Sequence, residues 1–300
     1  MTAPRDPEEL GTTAEPAHAA IADDATVGAV HLTVAELQRS LEYYRTQIGL
    51  QVLDSGSAEA SLGTGDRELL HLVEERGARP GDGYTGLYHF ALLVPQRIHL
   101  ATWISHAARE RVGMTGMSDH FVSEALYLRD PDGHGIEIYW DRPRAVWEGQ
   151  VMERMTTLPL DVDSILNELD DPADTPFDGL PDGTVMGHVH LKVADIAPTV
   201  GFYRDVLGFA LMAQLGPMAA FLAAGGYHHH LGANTWESAG APAPPAGSAA
   251  LRRATIVLPD SAERERVIGR LEHAGVAIEE SADGPLVRDP SRNTLVMSVR

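Results

Sequence analysis

The feature that most constrains the fold of this chain is an internal duplication with a constant offset. The first half contains YYRTQIGL, HLTVAEL and LRDPDG, and the second half contains FYRDVLGF, HLKVADI and VRDPSR. The pairs separated by 159 positions are Tyr44 and Tyr203, Val34 and Val193, and Asp130 and Asp289. Three anchors at one spacing indicate that the second half repeats the topology of the first.

Each half divides again into two modules. Every module opens with a β-branched run, passes into an amphipathic helix and continues as several short strands. The predicted opening strands are residues 28–34, 87–95, 187–193 and 254–259, and the predicted helices are residues 39–48, 97–112, 198–207 and 261–274. Gly49 is expected to end the first helix in a left-handed conformation. The sequence therefore predicts an α+β fold of four tandem βαβββ modules.

Composition places the boundaries between these modules. Residues 1–25 are predicted to form a flexible tail, 26–143 a first domain of two modules, and 186–300 a second one. Residues 144–185 are predicted to be a linker, because they contain the Asp-, Pro- and Gly-rich run DDPADTPFDGLPDG. LDVDSILNELD within it predicts one short helix. Three histidines on the predicted helices are expected to be solvated: His99, His106 and His273.

Charge and cysteine content exclude several classes of function. The net charge of −20 argues against nucleic acid or an anionic membrane as partner. The absence of cysteine excludes disulfides, zinc–thiolate sites and a thiol nucleophile. No run approaches the ~18–20 apolar residues of a membrane span. The N-terminus lacks the basic and apolar regions of a signal peptide, so we expect a cytoplasmic enzyme.

One stretch, residues 118–140, carries an ordered set of chemically demanding residues. In SDHFVSEALYLRDPDGHGIEIYW, His120 is followed by Tyr127, then Asp130–Pro131 with a turn glycine, then Glu137. This order resembles the signature of extradiol ring-cleavage dioxygenases of the vicinal oxygen chelate superfamily. Ser118 departs from the pattern, which prefers Gly, Asn or Thr there. The resemblance in module architecture covers roughly residues 26–300.

The resemblance implies that paired modules close into two cup-shaped half-barrel sheets, with metal ligands on first and last strands. The ligand position lies five residues before the end of each opening strand, which gives Ala29, His89, His188 and Arg253 in the four modules. The implied ligand set is therefore His89, His188 and Glu137. We predict that the second and third modules share the metal cup and that the first and fourth form a cup without metal. The commoner arrangement pairs consecutive modules.

The resemblance also implies roles for three side chains around the metal. His229 is the best correspondence to the acid–base histidine of the family, which comes from a His-His pair on a last strand. Strand alternation would place His228 and His230 on the opposite face from His229, so only one set can face the cup. His120 is expected to hydrogen-bond the substrate, and Tyr127 to donate to its anionic oxygen.

The predicted function is an Fe(II)-dependent extradiol dioxygenase that converts catechol or a simple substituted catechol, with O₂, to a 2-hydroxymuconic semialdehyde-type product. Mn(II) is compatible with the same ligands. Alternatives are a hydroquinone dioxygenase, a glyoxalase-like metal lyase, or a non-catalytic ligand-sequestering protein of the same fold. Tyr127 and the histidine run favour the oxygenase. The resemblance is compatible with a homo-oligomer, although no stretch identifies an interface.

Overall fold

The computed structural model describes residues 20–300. The sequence predicts a flexible tail over residues 1–25, and residues 1–19 of it lie outside the described residues. The part that follows is attached to the second half of the protein. Ile21 is buried, and its backbone N–H donates to the carbonyl of Gly208 at 3.0 Å.

The strands follow the predicted modules closely. The first module contains β1 (Thr26–Val34), β2 (Gln51–Ser55), β3 (Glu59–Thr64) and β4 (Arg67–Glu74), with a short β5 (Arg79–Pro80) after it. The second contains β6 (Gly86–Leu93), β7 (Gly116–Asp119), β8 (Ser123–Arg129) and β9 (Gly135–Asp141). The third contains β10 (Val185–Lys192), β11 (Ala210–Leu215), β12 (Ala219–Ala223) and β13 (Leu231–Asn234), followed by a short β14 (Ser248–Ala249). The fourth contains β15 (Leu251–Leu258), β16 (Leu286–Arg288) and β17 (Thr294–Val299).

Each module carries its helix between the first two strands. Those four helices are α1 (Leu37–Tyr43), α2 (Arg97–Glu110), α6 (Ile196–Val200) and α7 (Ser261–His273), whereas α3 (Arg144–Trp147), α4 (Val151–Arg154) and α5 (Val162–Leu166) lie between the second and third modules. Two π-helical turns, Tyr44–Ile48 and Gly201–Val206, continue α1 and α6. Gly49 ends the first with φ 92°, which confirms the predicted left-handed glycine.

The modules pair across the two halves of the chain. One curled sheet has the order β11-β12-β13-β10-β6-β9-β8-β7 and contains the second and third modules. The other has the order β16-β17-β15-β1-β4-β3-β2 and contains the first and fourth. The prediction that the second module pairs with the third, and the first with the fourth, is confirmed. The antiparallel pair β6–β10 joins one sheet and the antiparallel pair β1–β15 joins the other.

The duplication extends to individual hydrogen bonds. Tyr44 donates its hydroxyl to Asp130 at 2.9 Å, and the equivalent Tyr203 donates to Asp289 at 3.1 Å. Both tyrosines and both aspartates are buried. Each bond ties the helix of one module to the last turn of the next, so the Asp-Pro turns hold the two modules of each half together. Their repetition at one offset therefore has a structural cause.

The predicted linker packs on the first domain. α5 forms inside LDVDSILNELD as expected, and Asp161 caps it by accepting from the N–H of Ser164. The expectation that His106 is solvated is wrong. Its ring is buried against Phe177 of the linker, with centroids 4.0 Å apart, and its Nε2 lies 3.0 Å from the carbonyl of Thr46. Among residues 20–300, every helix is too short or too polar to cross a bilayer.

We expect Tyr44→Phe to lower the free energy of unfolding in urea by about 1–3 kcal/mol, because the buried Asp130 carboxylate loses a donor. The neighbouring Tyr43→Phe is the matched control. Its hydroxyl donates to a carbonyl at an exposed site, so its loss should cost far less. Equal losses for the two variants would contradict the structural role given to the Tyr44–Asp130 bond.

Candidate metal centre

Three buried polar side chains meet on three adjacent strands. His188 lies on β10, His89 on β6 and Glu137 on β9, which are neighbours in the eight-stranded sheet. Glu137 Oε2 lies 3.1 Å from His89 Nε2 and 3.0 Å from His188 Nε2. The two Nε2 atoms are 3.3 Å apart. The sequence-predicted ligand residues are thus brought together by the predicted pairing of modules.

The geometry of this cluster fits a divalent metal ion. Two imidazoles and one carboxylate on one side of an ion form the ligand set of non-haem Fe(II) oxygenases. Ligand atoms at right angles to each other, about 2.1 Å from an ion, lie about 3.0 Å apart. The three separations agree with that spacing. A buried carboxylate facing two imidazole nitrogens also needs a cation to offset its desolvation.

Electrostatics set the protonation states that a metal ligand needs. Burial by itself would raise the pKa of Glu137, but its hydrogen bonds with His188 and His89 outweigh that effect and hold the pKa well below its usual value. Burial lowers the pKa of His188. Metal ligands must be an ionised carboxylate and unprotonated imidazoles. Glu137 and His188 are therefore in the states required for binding.

A cavity of about 460 Å³ opens beside the three ligand atoms. Its wall contains aromatic and imidazole side chains: Tyr88, His120, Tyr127, His190, Phe221, His229 and Trp236. Such a site can receive a planar ring against aromatic faces while several polar groups approach its substituents. All three predicted catalytic residues lie in this wall.

His229 faces the cavity, as predicted, but for a different reason. Its ring lies against that of His188, with centroids 4.1 Å apart and the two ring planes tilted by 44°. The expected opposite orientation of His228 and His230 is confirmed, but strand alternation does not cause it, because residues 227–230 precede β13, which begins only at Leu231. The histidines beside it turn away and make other hydrogen bonds. His228 contacts Asp141, and His230 Nδ1 accepts from the N–H of Ala224.

His120 and Tyr127 form a pair at the cavity wall. Tyr127 lies on β8, and its hydroxyl is 2.7 Å from Nε2 of His120, which follows β7. Nδ1 of His120 is 2.8 Å from the carbonyl of Thr156. A carbonyl only accepts, so Nδ1 carries hydrogen and a neutral His120 accepts the Tyr127 hydroxyl at Nε2. The linker residue Thr156 thus orients the pair.

Sequence reasoning missed part of the cavity wall. Tyr88, Phe221 and Trp236 gave no distinctive signal, because aromatic residues in strands and loops are usually structural. His190 also lines the cavity as a buried side chain. Burial holds its pKa well below the usual value, with His89 and His188 adding to the effect. The sequence did contain a signal for His190: it lies two residues after His188 in the same predicted strand, so both side chains face the same side of the sheet.

Comparison with known families gives a match over most of the chain. The model of the Glyoxalase/Bleomycin resistance protein/Dioxygenase superfamily matches residues 26–138 and 185–296. A protein from Bacillus subtilis (strain 168) named catechol-2,3-dioxygenase is 41% identical over 278 residues, which are 90% of this chain and 95% of that protein.

Solved structures share the fold at lower identity. Glyoxalase I from Zea mays is 16% identical with a TM-score of 0.55, and the match covers 91% of this chain and 92% of that one. The cppA protein from Streptococcus pneumoniae TIGR4 is 14% identical with a TM-score of 0.54, covering 92% of this chain and 99% of that one. These likenesses concern the arrangement of modules alone.

Glu137→Gln should abolish stoichiometric binding of Fe(II), because a neutral amide replaces the anionic ligand. Metal content after anaerobic loading and desalting measures this. His71→Gln is the matched control, since His71 lies on β4, the last strand of the first module in the other sheet. If the His71 variant lost iron and the Glu137 variant kept it, the metal would lie in the other cup.

Proposed function

We propose that this chain, which belongs to the Glyoxalase/Bleomycin resistance protein/Dioxygenase superfamily and is a dioxygenase-type enzyme, is an Fe(II)-dependent extradiol dioxygenase. Its substrate would be catechol or a simple substituted catechol, and both atoms of O₂ would enter the product. The product would be a 2-hydroxymuconic semialdehyde-type compound. A cytoplasmic location and a homo-oligomeric state stay predictions from the sequence.

One observation carries the proposal. His89, Glu137 and His188 converge at one end of a cavity whose wall also contains His229 and the Tyr127 hydroxyl. Extradiol cleavage needs a ligand set of this kind, a base for one diol proton, and a donor for the anionic oxygen. The 41% identity with a protein named catechol-2,3-dioxygenase supports the same reaction class.

His89, His188 and Glu137 would hold the metal. When bound there, Fe(II) would supply Lewis-acid and one-electron chemistry for the reaction of the diol with O₂. Mn(II) is an alternative occupant, because the ligand set does not distinguish the two ions.

His229 would act as the acid–base catalyst. Its ring lines the cavity beside His188, and burial together with the neighbouring histidines holds its pKa well below the usual value, so that it is neutral. A neutral imidazole accepts a diol proton and later returns it to an oxygen of the opening ring. Proton transfer by a positioned side chain contributes about 10²–10⁴-fold to rate.

The His120–Tyr127 pair would stabilise negative charge on the substrate. With a neutral His120, the Tyr127 hydroxyl donates to Nε2 of His120. When Nε2 of His120 instead donates to the phenol oxygen, the Tyr127 hydroxyl would donate its hydrogen to a substrate oxygen. Aromatic walls at Tyr88, Phe221 and Trp236 would flank the ring and exclude water.

Anaerobic loading with Fe(II), followed by aerobic addition of catechol, should give the yellow ring-cleavage product. Its formation, followed by absorbance, should require iron and should disappear in Glu137→Gln. Stoichiometric iron without product from any catechol would contradict the extradiol assignment. Colour formation that persists in Glu137→Gln would show that the reaction occurs elsewhere.

His229→Ala should keep iron and catechol affinity but lower kcat by about 10²–10⁴-fold, because only the proton-transfer group is removed. Steady-state kinetics and metal analysis on the same preparation separate the two effects. His230→Ala is the control, since His230 bonds to the backbone of Ala224 away from the cavity. Loss of iron in His229→Ala would mean that His229 serves as a ligand.

A further inference from the structure

A chain of hydrogen-bonded polar groups, buried at His228 and half-buried at Asp141 and Tyr227, lies behind His229 and has no role in the proposed proton transfer so far. His228 Nδ1 lies 2.8 Å from His229 Nδ1, and His228 Nε2 lies 2.9 Å from Asp141 Oδ1. The other carboxylate oxygen of Asp141 accepts from the hydroxyl of Tyr227 at 2.7 Å. Asp141, Tyr227 and His228 are absent from the cavity wall, so they reach the cavity through His229.

We propose that Asp141 and His228 are positioning residues that fix the tautomer of His229 and leave its Nε2 free to take the substrate proton. This inference rests on the proposed function, in which His229 is the acid–base catalyst. It adds two residues to the machinery and assigns a chemical reason for the His-His pair.

The direction of each hydrogen bond follows from the carboxylate. A carboxylate oxygen only accepts, so Nε2 of His228 must carry the hydrogen that it shares with Asp141. A neutral His228 then has a bare Nδ1, which accepts. The hydrogen between the two rings therefore belongs to Nδ1 of His229. A neutral imidazole has one hydrogen, so Nε2 of His229 is bare.

Without the carboxylate, the opposite arrangement is equally available. A His228 that carries its hydrogen on Nδ1 would donate to Nδ1 of His229. His229 would then be protonated on Nε2 and would be unable to accept a proton there. Asp141 thus determines whether Nε2 of His229 can accept a proton. An aspartate plays the same orienting part towards the histidine of serine-protease triads.

The chain also stabilises the product of the proton transfer. The diol O–H proton moves to Nε2 of His229, which leaves the substrate as an anion and makes the His229 ring cationic. No electron is transferred and no group leaves in this step. The positive charge is shared through the 2.8 Å bond with His228, whose far nitrogen faces the Asp141 carboxylate.

Strand β9 places both parts of the machinery on one face. Glu137, Tyr139 and Asp141 are alternate residues of β9, so their side chains project to the same side of the sheet. The Tyr139 hydroxyl lies 2.8 Å from that of Tyr227. Since Tyr227 donates to Asp141, Tyr139 donates to Tyr227. A Cβ on Gly187 would lie 1.8 Å from the Tyr139 hydroxyl oxygen, so only glycine fits before His188.

The test uses Asp141→Asn in the full-length, Fe(II)-loaded enzyme. Asparagine keeps the size of the side chain but no longer forces the tautomer of His228. We expect iron content and the KM for catechol to stay within about 3-fold of wild type, and kcat to fall by about 10²–10⁴-fold. Loss of iron, or a kcat within about 3-fold of wild type, would overturn the assignment.

Asp289→Asn is the matched control. Asp289, a buried residue of the fourth module, likewise has a carboxylate that accepts from a tyrosine hydroxyl, that of Tyr203. Its replacement should lower stability and leave kcat within about 2-fold of wild type. A comparable fall in kcat for both variants would mean that loss of a buried carboxylate acts through general destabilisation, and would overturn the proposal.

A second readout does not depend on turnover. Side-chain ¹⁵N NMR of protein loaded with diamagnetic Zn(II) should show His229 protonated on Nδ1 and bare on Nε2 in the wild type. Protonation on Nε2 in the wild type would overturn the inference even if catechol is cleaved. If no catechol is cleaved while the tautomer is as expected, the proposed function fails and the hydrogen-bonded chain stands.

Discussion

The antiparallel pairing of β6 with β10 is the interaction on which the rest of the structure depends. It joins the second module to the third across the middle of the chain and sets the register in which Ala91 faces His188 and His89 faces His190. β9 then runs parallel to β6 with Glu137 opposite Ala91. Two histidines and a carboxylate from three strands therefore meet at one point, which no single module could achieve.

This pairing also commits the remaining modules. Once the second and third modules share a sheet, the opening strands of the first and fourth modules have no partner in that sheet. These strands, β1 and β15, pair with each other instead. The seven-stranded sheet that results has Ala29 and Arg253 where the other sheet has His89 and His188. It keeps the architecture without the ligands. Duplication thus leaves one cup that contains the candidate ligands and one that lacks them.

The connecting segments complete the site. Thr156 of the linker accepts from His120, and Met155 and Thr157 contribute to the cavity wall. Irregular residues before β13 turn His229 toward the metal ligands and His228 toward Asp141. A rigid sheet therefore holds the candidate metal ligands, while loops supply His229 and His120, the residues proposed to handle protons. Loops on a rigid scaffold commonly carry function in this way.

The sequence by itself determined the four modules, the exchange of partners between the halves, and the three side chains that meet at the candidate centre. These follow from local periodicity and from which modules retain His89, His188 and Glu137. Tertiary structure alone decided that His106 is buried, because the covering Phe177 comes from a segment with the composition of a linker. It also decided the orientation of the three histidines, because residues 227–230 lack the alternation of a strand. Finally, it brought His228 to Asp141, 87 positions away, through a contact that leaves no periodic trace in the sequence.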